Sequence, residues 1–391
     1  VCGVVLDPLN SNRYYKKGEN IMYNWITPND TILPNPTQSN PGSIYSGDSI
    51  AEFISSVGFP CKHIRTTSGA SVATYHISLK DIRQIKKVNN AIPMLEANLN
   101  CAVIRGESDI AHFSLMIPRK ERDTVHLKSA MMSTAFTELR GIPACLGTDA
   151  EGNTLALDIS QLPHMIISGS TGSGKSVLVN SMVTSMIFRS APSVLQFVLI
   201  DPKKSEFFQF ANIPHLFTPV VTDTHEAIHT LSEMCRIMDE RSAKLESIGK
   251  RDIEGTDFSR IVIVIDELAD IMMVSDKEVE DYIVRIAQRG RSCGIHIILA
   301  TQSPRASVLT GLIRSNIITK IALRCATQID SRISLGKAGA EKLLGKGDGI
   351  IQGLPGDIKE YRFQGAWISP QDIQYVTGYW NSPYCKSPVQ S

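Results

Sequence analysis

Hydrophobic and polar positions change rhythm near residue 154. Before that point, apolar residues come in short alternating sets. Ala73, Tyr75, Ile77 and Leu79 occupy every second position, which predicts a strand over 71–80 with one buried face. Two further short strands are predicted over 101–105 and 112–117, separated by polar residues that include Gly106. Ile50, Phe53, Ile54 and Val57 follow the i, i+3, i+4, i+7 spacing of a helix, with Asp48 or Ser49 as its cap and Gly58 as its stop. These elements predict a small α+β domain over 47–150. Residues 1–46 hold Pro8, Pro28, Pro34, Pro36 and Pro41 among many Asn, Ser and Thr, which predicts a loop-rich arm.

Beyond 154, unbroken apolar runs alternate with longer helical stretches. The runs fall at 165–168, 195–200, 261–265, 295–300 and 317–323. A strand without alternation is buried on both faces, and strands spaced by helices belong to a parallel sheet with helices on either side. The expectation is an α/β core over 151–368. The tail over 369–391 contains Pro370, Pro383 and Pro388 and is expected to be a loose end. No internal repeat or low-complexity tract interrupts the chain.

Composition changes this picture little. Hydrophobic residues make up 42% and charged residues 20% of the 391 positions, a balance typical of globular proteins. No apolar run approaches the ~18 residues of a membrane span. The amino terminus lacks a basic segment followed by an apolar one, so no signal peptide is expected. The chain starts with Val rather than Met, as a piece of a longer protein would. The expected location is the cytoplasm, either free or as the soluble part of a membrane-anchored protein. The eight cysteines are scattered with no C-x-x-C pair, which argues for reduced thiols over a disulfide or zinc framework. Net charge is only +1, yet eight Lys/Arg and one acid lie between Arg285 and Arg332. Such a stretch can supply the basic surface that a phosphate backbone requires. Equally, its arginines can cap helices or line subunit contacts.

The chemistry begins with Gly169-Ser170-Thr171-Gly172-Ser173-Gly174-Lys175-Ser176. This G-x-x-x-x-G-K-S loop follows a predicted strand and precedes an apolar helix over 177–188, the context a phosphate-binding P-loop requires. Its glycines let backbone N–H groups surround phosphate oxygens, and the helix N-terminus adds partial positive charge. Lys175 would reach the β and γ phosphates of ATP, and the Ser176 hydroxyl would ligate Mg2+. The run 261–265 ends in Asp266-Glu267. An acid at the tip of a buried strand is costly unless it has work there. Asp266 would hold Mg2+ through water, and Glu267 would polarise the water that attacks the γ-phosphate. The plainer reading of both is a helix cap. The run 295–300 ends in Thr301-Gln302, where an amide can sense the γ-phosphate. Together with the alternating strands, the loop makes this a RecA-like P-loop NTPase core with a mostly parallel sheet. Arg291, just before that last strand, could project into a neighbouring subunit's site or be an ordinary surface arginine. His225-Glu226-Ala227-Ile228-His229 spells the H-E-x-x-H of zinc proteases. Without a third ligand, it reads as the solvated face of a helix over 222–231. Asn29-Asp30-Thr31 matches a glycosylation sequon by chance composition.

Taken together, these stretches resemble the FtsK/SpoIIIE family of DNA translocases. Pro163-His164, Ile200-Asp201-Pro202-Lys203, Ile213-Pro214-His215-Leu216, Asp266-Glu267-Leu268-Ala269-Asp270 and Gly294-Ile295-His296 carry the likeness. Ala300-Thr301-Gln302, Thr310-Gly311-Leu312-Ile313, Asp330-Ser331-Arg332 and 339–345 continue it. The resemblance is strong over 160–350 and weaker over 70–158, which is similar to the family's α domain. It implies a homo-hexameric ring that threads double-stranded DNA by sequential ATP hydrolysis. It also places Arg291 at the family's arginine finger and the loops near 303–306 and 326–330 at its DNA contacts. Ser303, Arg305, Arg314, Thr327 and Gln328 are therefore the candidate DNA-binding residues. The family usually has Arg where this chain has Ser303 and often Lys where it has Gln328, and Arg305 is the nearest full charge. Neither a membrane-spanning domain nor a winged-helix domain for DNA-sequence recognition is encoded in these residues. A type VII secretion-like ATPase moving protein, a conjugative or phage DNA-transfer ATPase, and an inactive ring that only scaffolds are the competing readings. One P-loop and an α-like region favour DNA over protein, and intact Lys175, Asp266 and Glu267 disfavour the scaffold.

Overall fold

The protein is described from a computed structural model covering residues 4–7, 10–16, 19–21, 23–25, 27–29, 32–33, 45–108, 112–162, 164–382 and 385–388. Cys2, Pro8, Asp30, Thr31, Pro34, Pro36, Pro41, Pro163 and Pro383 lie outside the described residues.

The amino-terminal arm departs from the loop expected of it. Its backbone builds a three-stranded antiparallel sheet from β1 (Val4–Asp7), β2 (Asn10–Lys16) and β3 (Glu19–Ile21), followed by β4 (Tyr23–Trp25). The arm's prolines fall between or after these strands in sequence, so none removes a donor from a ladder.

A second unit starts at helix α1 (Gly47–Ser56), with Ser46 rather than Asp48 or Ser49 at the N-cap position and no side-chain cap, and burying Ile50, Ala51 and Ile54. It packs on a four-stranded antiparallel sheet of β5 (Cys61–Ser68), β6 (Val72–Leu79), β7 (Ile104–Ser108) and β8 (His112–Pro118), with α2 (Ile92–Leu99) against the same core. Ala73, Tyr75, Ile77 and Leu79 all point into that core, as their period of two requires. β5 escapes the apolar pattern because its sequence, CKHIRTTS, is mostly polar and it pairs with β6 alone at the sheet edge.

After α3 (Leu127–Met131) and α4 (Thr134–Thr137), the chain enters a nine-stranded sheet. Its strands are β9 (Pro143–Asp149), β10 (Thr154–Asp158), β11 (His164–Ser168), β12 (Leu195–Ile200), β13 (Arg260–Ile265), β14 (Ile295–Thr301), β15 (Thr319–Leu323), β16 (Asp348–Gln352) and β17 (Tyr361–Gly365). Their spatial order is β10-β9-β17-β16-β15-β11-β14-β13-β12. The five apolar runs form the parallel block β15-β11-β14-β13-β12. The other four strands extend it in antiparallel fashion, and residues 143–149 sit in this sheet although they precede the sequence boundary at 150.

Both faces of the parallel block are covered, by α5 (Lys175–Arg189) on one side and by α6 (Thr224–Ser247), α7 (Leu268–Met272), α8 (Asp276–Arg289) and α9 (Gly311–Asn316) on the other. Successive residues of one strand serve different cores: Phe197 and Leu199 face α5, whereas Val198 and Ile200 face α6. That is why these strands read as continuous apolar runs. α10 (Gln328–Leu335) follows β15.

The carboxyl-terminal segment corrects another expectation. Instead of a loose end, 370–381 form α11 (Pro370–Asn381) with a Ser369/Asp372 capping box and Pro370 in its first turn. Proline there is pre-shaped for helix entry and sacrifices no hydrogen bond. Trp380 is buried and donates its indole N–H to Ile187 O of α5 at 3.0 Å. β18 (Lys386–Pro388) then pairs with β4, tying the two ends of the chain together. Among the described residues no helix is long and apolar enough to cross a membrane.

Candidate active site

The carboxyl ends of β11, β13, β14 and β15 lie side by side in the parallel block, and the predicted chemistry collects along that edge. From β11 the chain turns through 169–176 into α5. Gly172 and Gly174 adopt φ of +76° and +101°, a left-handed region that penalises any Cβ. A Cβ on Gly174 would also lie 2.5 Å from Gly347 N. Gly347 N–H donates to Ser173 O at 2.7 Å, so the 345–347 turn before β16 braces the loop from one side. Ser170 braces the other, its N–H and hydroxyl both donating to Arg324 O at 2.9 Å. Ser173 Oγ is buried without a hydrogen-bond partner. An unmet polar atom inside a glycine cradle fits a ligand rich in acceptor oxygens.

Lys175 opens α5, and its ammonium donates to Asp266 Oδ1 at 2.7 Å and Asp266 O at 2.6 Å. Both side chains are 2% exposed. The P-loop lysine and the acid at the tip of β13 are therefore one buried ion pair. Ser176, half-buried in the first turn of α5, completes the predicted loop.

Glu267 caps α7, but it is buried rather than solvated. Its Oε1 accepts from Thr301 Oγ1 at 2.7 Å, Gln302 N–H at 3.3 Å and Ala269 N–H at 3.4 Å. Its Oε2 accepts from Gln302 N–H at 3.1 Å and from Lys203 Nζ at 3.4 Å. The Gln302 side chain takes part too, its Oε1 accepting from Thr171 Oγ1 of the P-loop at 2.8 Å. Gln302 thus spans the gap between the phosphate loop and the acid. The chain continues this relay, since Ser303 N–H donates to Thr301 Oγ1 at 3.1 Å.

Lys203 is not among the sequence-derived site residues; it follows the end of β12 by three residues, Asp201 taking the place there that Asp266 has after β13. The shared carboxyl edge of parallel strands is the signal that finds it. It lies 3.4 Å from Glu267 Oε2 and 3.6 Å from Asp270 Oδ2. Burial works against its ammonium, but those two carboxylates outweigh it and hold the pKa above the ordinary lysine value. A cavity of about 580 Å3 also opens beside Gly172, Gly174 and Val177, walled by Arg122, Lys346 and Trp367. These wall residues come from separate elements, and only the glycines on either side of Lys346 hint at them in sequence.

Arg291 is exposed on the opposite edge, at the amino end of β14, where Nη2 donates to Gln161 Oε1 at 3.4 Å. Its turn is held by buried Arg241, which donates to Cys293 O at 2.9 Å and Ser259 O at 2.8 Å. Four of the five DNA candidates flank the P-loop instead, whereas Arg314 does not, because α9 leads into the amino end of β15. Ser303 and the exposed Arg305 leave β14, while exposed Thr327 and Gln328 start α10 after β15. Thr327 is the cap of α10, exchanging hydrogen bonds with Asp330 at 3.1 Å. Arg314 lies on α9, its Nε donating to Thr310 O at 3.4 Å. The basic stretch is not one surface, because Arg285 and Arg289 both pair with Asp239 of α6.

The H-E-x-x-H residues lie on a solvated helix face. His225, Glu226 and His229 are exposed in the first turns of α6, where Asp223 Oδ1 accepts from the His225 and Glu226 N–H groups. No group of three metal-ligating side chains occurs among the described residues. The seven described cysteines are free thiols, most of them buried, and burial pushes Cys145 up to about 12.

Residues 127–260 and 254–306 match the FtsK/SpoIIIE family. The chain is 35% identical over 363 residues to a DNA translocase FtsK of Caldanaerobacter subterraneus subsp. tengcongensis, covering 90% of this chain and 51% of that protein. It is 37% identical over 331 residues to the DNA translocase SftA of Bacillus subtilis, covering 81% and 35% respectively. The chain thus spans about half or less of the length of the curated relatives it matches. In fold it is similar to the pCW3 conjugation coupling protein TcpA solved with ATPgS, with a TM-score of 0.56 at 21% identity over 80% of this chain and 92% of that one.

Proposed function

Through residues 127–306 the chain belongs to the FtsK/SpoIIIE family, and on that premise we propose that it is an ATP-dependent double-stranded DNA translocase working as a ring-shaped homo-hexamer. One observation carries the proposal. The P-loop, Asp266, Glu267 and Gln302 converge on one sheet edge, and the candidate DNA loops rise from the two strands that flank the P-loop strand. Hydrolysis and cargo contact are then a few bonds apart, through Glu267, Thr301 and Ser303.

The residues fit the chemistry. The loop amides and Lys175 bind the β and γ phosphates, Lys175 exchanging Asp266 for phosphate oxygen. Ser176 and Asp266 would hold Mg2+, which neutralises charge on the phosphate oxygens when bound. Glu267 takes a proton from water as its oxygen bonds to the γ-phosphorus and the bond to ADP breaks. Gln302 loses or gains its Thr171 contact with the state of the γ-phosphate and passes this to Ser303. The cavity walled by Arg122, Lys346 and Trp367 receives the nucleoside. Arg291 completes a neighbour's site.

The first test is ATPase rate with and without linear duplex DNA. Stimulation by duplex supports the proposal, whereas stimulation by peptide alone turns the reading to a protein-moving secretion ATPase. Glu267→Gln is expected to keep ATP binding and lose turnover by roughly 10²-fold or more, because the amide accepts from Thr301 and Gln302 yet cannot take a proton. Weakened binding with unchanged turnover would assign Glu267 a different role.

Arg305 tests the DNA grip. Ser303 and Gln328 offer neutral donors, which release fewer counterions from phosphate than a full charge does. The side chain of Arg305 is exposed beside them. Arg305→Ala is expected to reduce DNA stimulation while sparing basal hydrolysis. It should also flatten the slope of log K against log salt by roughly 0.9 per lost contact. Equal slopes and equal stimulated rates for the two proteins would remove Arg305 from the contact.

A further inference from the structure

A carboxylate has roughly four acceptor positions, two on each oxygen. On Glu267, Oε1 is filled by Thr301 Oγ1 and the Ala269 N–H, and the single Gln302 N–H is shared between the oxygens, nearer Oε2 at 3.1 Å than Oε1 at 3.3 Å. Oε2 carries the Gln302 N–H and Lys203 Nζ. Any proton taken from water must therefore arrive at Oε2, at the position where Lys203 sits. Thr301 and the two amides are fixed by the ends of β14 and α7. Lys203 alone among the partners is a long flexible chain with 45% exposure. It also has somewhere else to go, because Asp270 Oδ2 lies 3.6 Å from the same ammonium.

We propose that Lys203 is a removable restraint on Glu267, a positioning residue that blocks Oε2 in the resting site and frees it by transferring to Asp270. This rests on Glu267 being the base, and it adds a gate that the P-loop motif does not contain. Engagement of the cargo loops reaches the gate through Ser303, Thr301 and Gln302, all bonded to Glu267 or to one another. Tightening of those contacts on the carboxylate weakens the hold of Oε2 on Lys203, which passes to Asp270 and leaves Oε2 open to water.

Steady-state ATP hydrolysis without DNA tests the gate in Lys203→Met, Lys203→Arg and Asp270→Asn. Losing a half-exposed ion pair is expected to raise the DNA-independent kcat of Lys203→Met by roughly two- to fivefold, with KM for ATP unchanged. Lys203→Arg keeps a cation at Oε2 and stays restrained. Asp270→Asn removes the alternative partner, so its DNA-independent kcat falls. The double variant Lys203→Met/Asp270→Asn behaves as Lys203→Met. Opposite signs from two neighbouring charge removals are what a merely structural role would not produce. A fall in kcat for Lys203→Met, a rise in its KM, no change, or a shift of both single variants in the same direction overturns the proposal. Glu267→Gln, measured alongside, separates the two ideas: if it retains turnover, the base assignment fails, and if it is inactive while the opposite signs are missing, only the gate fails.

Discussion

Lys175→Ala is expected to show no measurable ATP turnover and, in the absence of nucleotide, a lower unfolding temperature. The first effect follows from the proposed contact of the Lys175 ammonium with the β and γ phosphates. The second comes from the structure, where Lys175 and Asp266 form an ion pair at 2.7 Å with both side chains 2% exposed. Removing one member strands a buried charge, which costs about 3–5 kcal/mol. Asp266→Asn in the same chain relieves that stranded charge, so the double variant should regain thermal stability without regaining turnover. Thermal unfolding and ATP hydrolysis on the three variants check both halves. Hydrolysis near the wild-type rate in Lys175→Ala would remove the foundation of the functional reading.

Arg291→Ala is expected to lose roughly 10³-fold or more in turnover while ATP affinity holds, as removal of an arginine finger does. In the proposed ring this would be a defect between subunits. Arg291 lies before the first residue of β14, whereas Gln302 follows its last. Seven strand residues at about 3.3 Å each put the arginine roughly 20 Å or more from its own P-loop edge. Arg241 pins the Cys293 carbonyl of the same turn, so the turn cannot fold over to close that distance. Mixing Arg291→Ala with Lys175→Ala protein should then exceed either parent, since some interfaces pair an intact P-loop with an intact arginine. If no mixture does so, Arg291 is not the finger.

The two outcomes bear on different parts of the protein. Lys175 reports on a pair within one chain, and Arg291 on a ring that the proposed function requires. Lys203 and Asp270 bear on the proposed coupling itself, because a gate on Glu267 would let cargo contact set the rate of hydrolysis.

The parallel half of the large sheet, and the order of chemistry along it, follow from local residue pattern. Strands buried on both faces must be apolar at every position, so 195–200 and 261–265 declared themselves without any partner being known. The P-loop is equally local: its glycines, lysine and helix start act within eight consecutive residues. Tertiary structure alone decided what came from pairing distant segments. β9 and β16 contain glycines and are only partly apolar, and they become strands because neighbours complete their ladders. α11 is short and opens on a proline, yet burial of Trp380 against α5 fixes it. The arm strands β1 to β4 likewise depend on partners, β4 on a strand more than 350 residues away. In the site, Asp266 and Glu267 were legible because charge at the end of an apolar run is costly. Their partners were not, because the ammonium groups of Lys175 and Lys203 reach them across 91 and 64 residues of chain. Ion pairs of that kind are set by which strand ends become neighbours, and no local rule of spacing encodes that order.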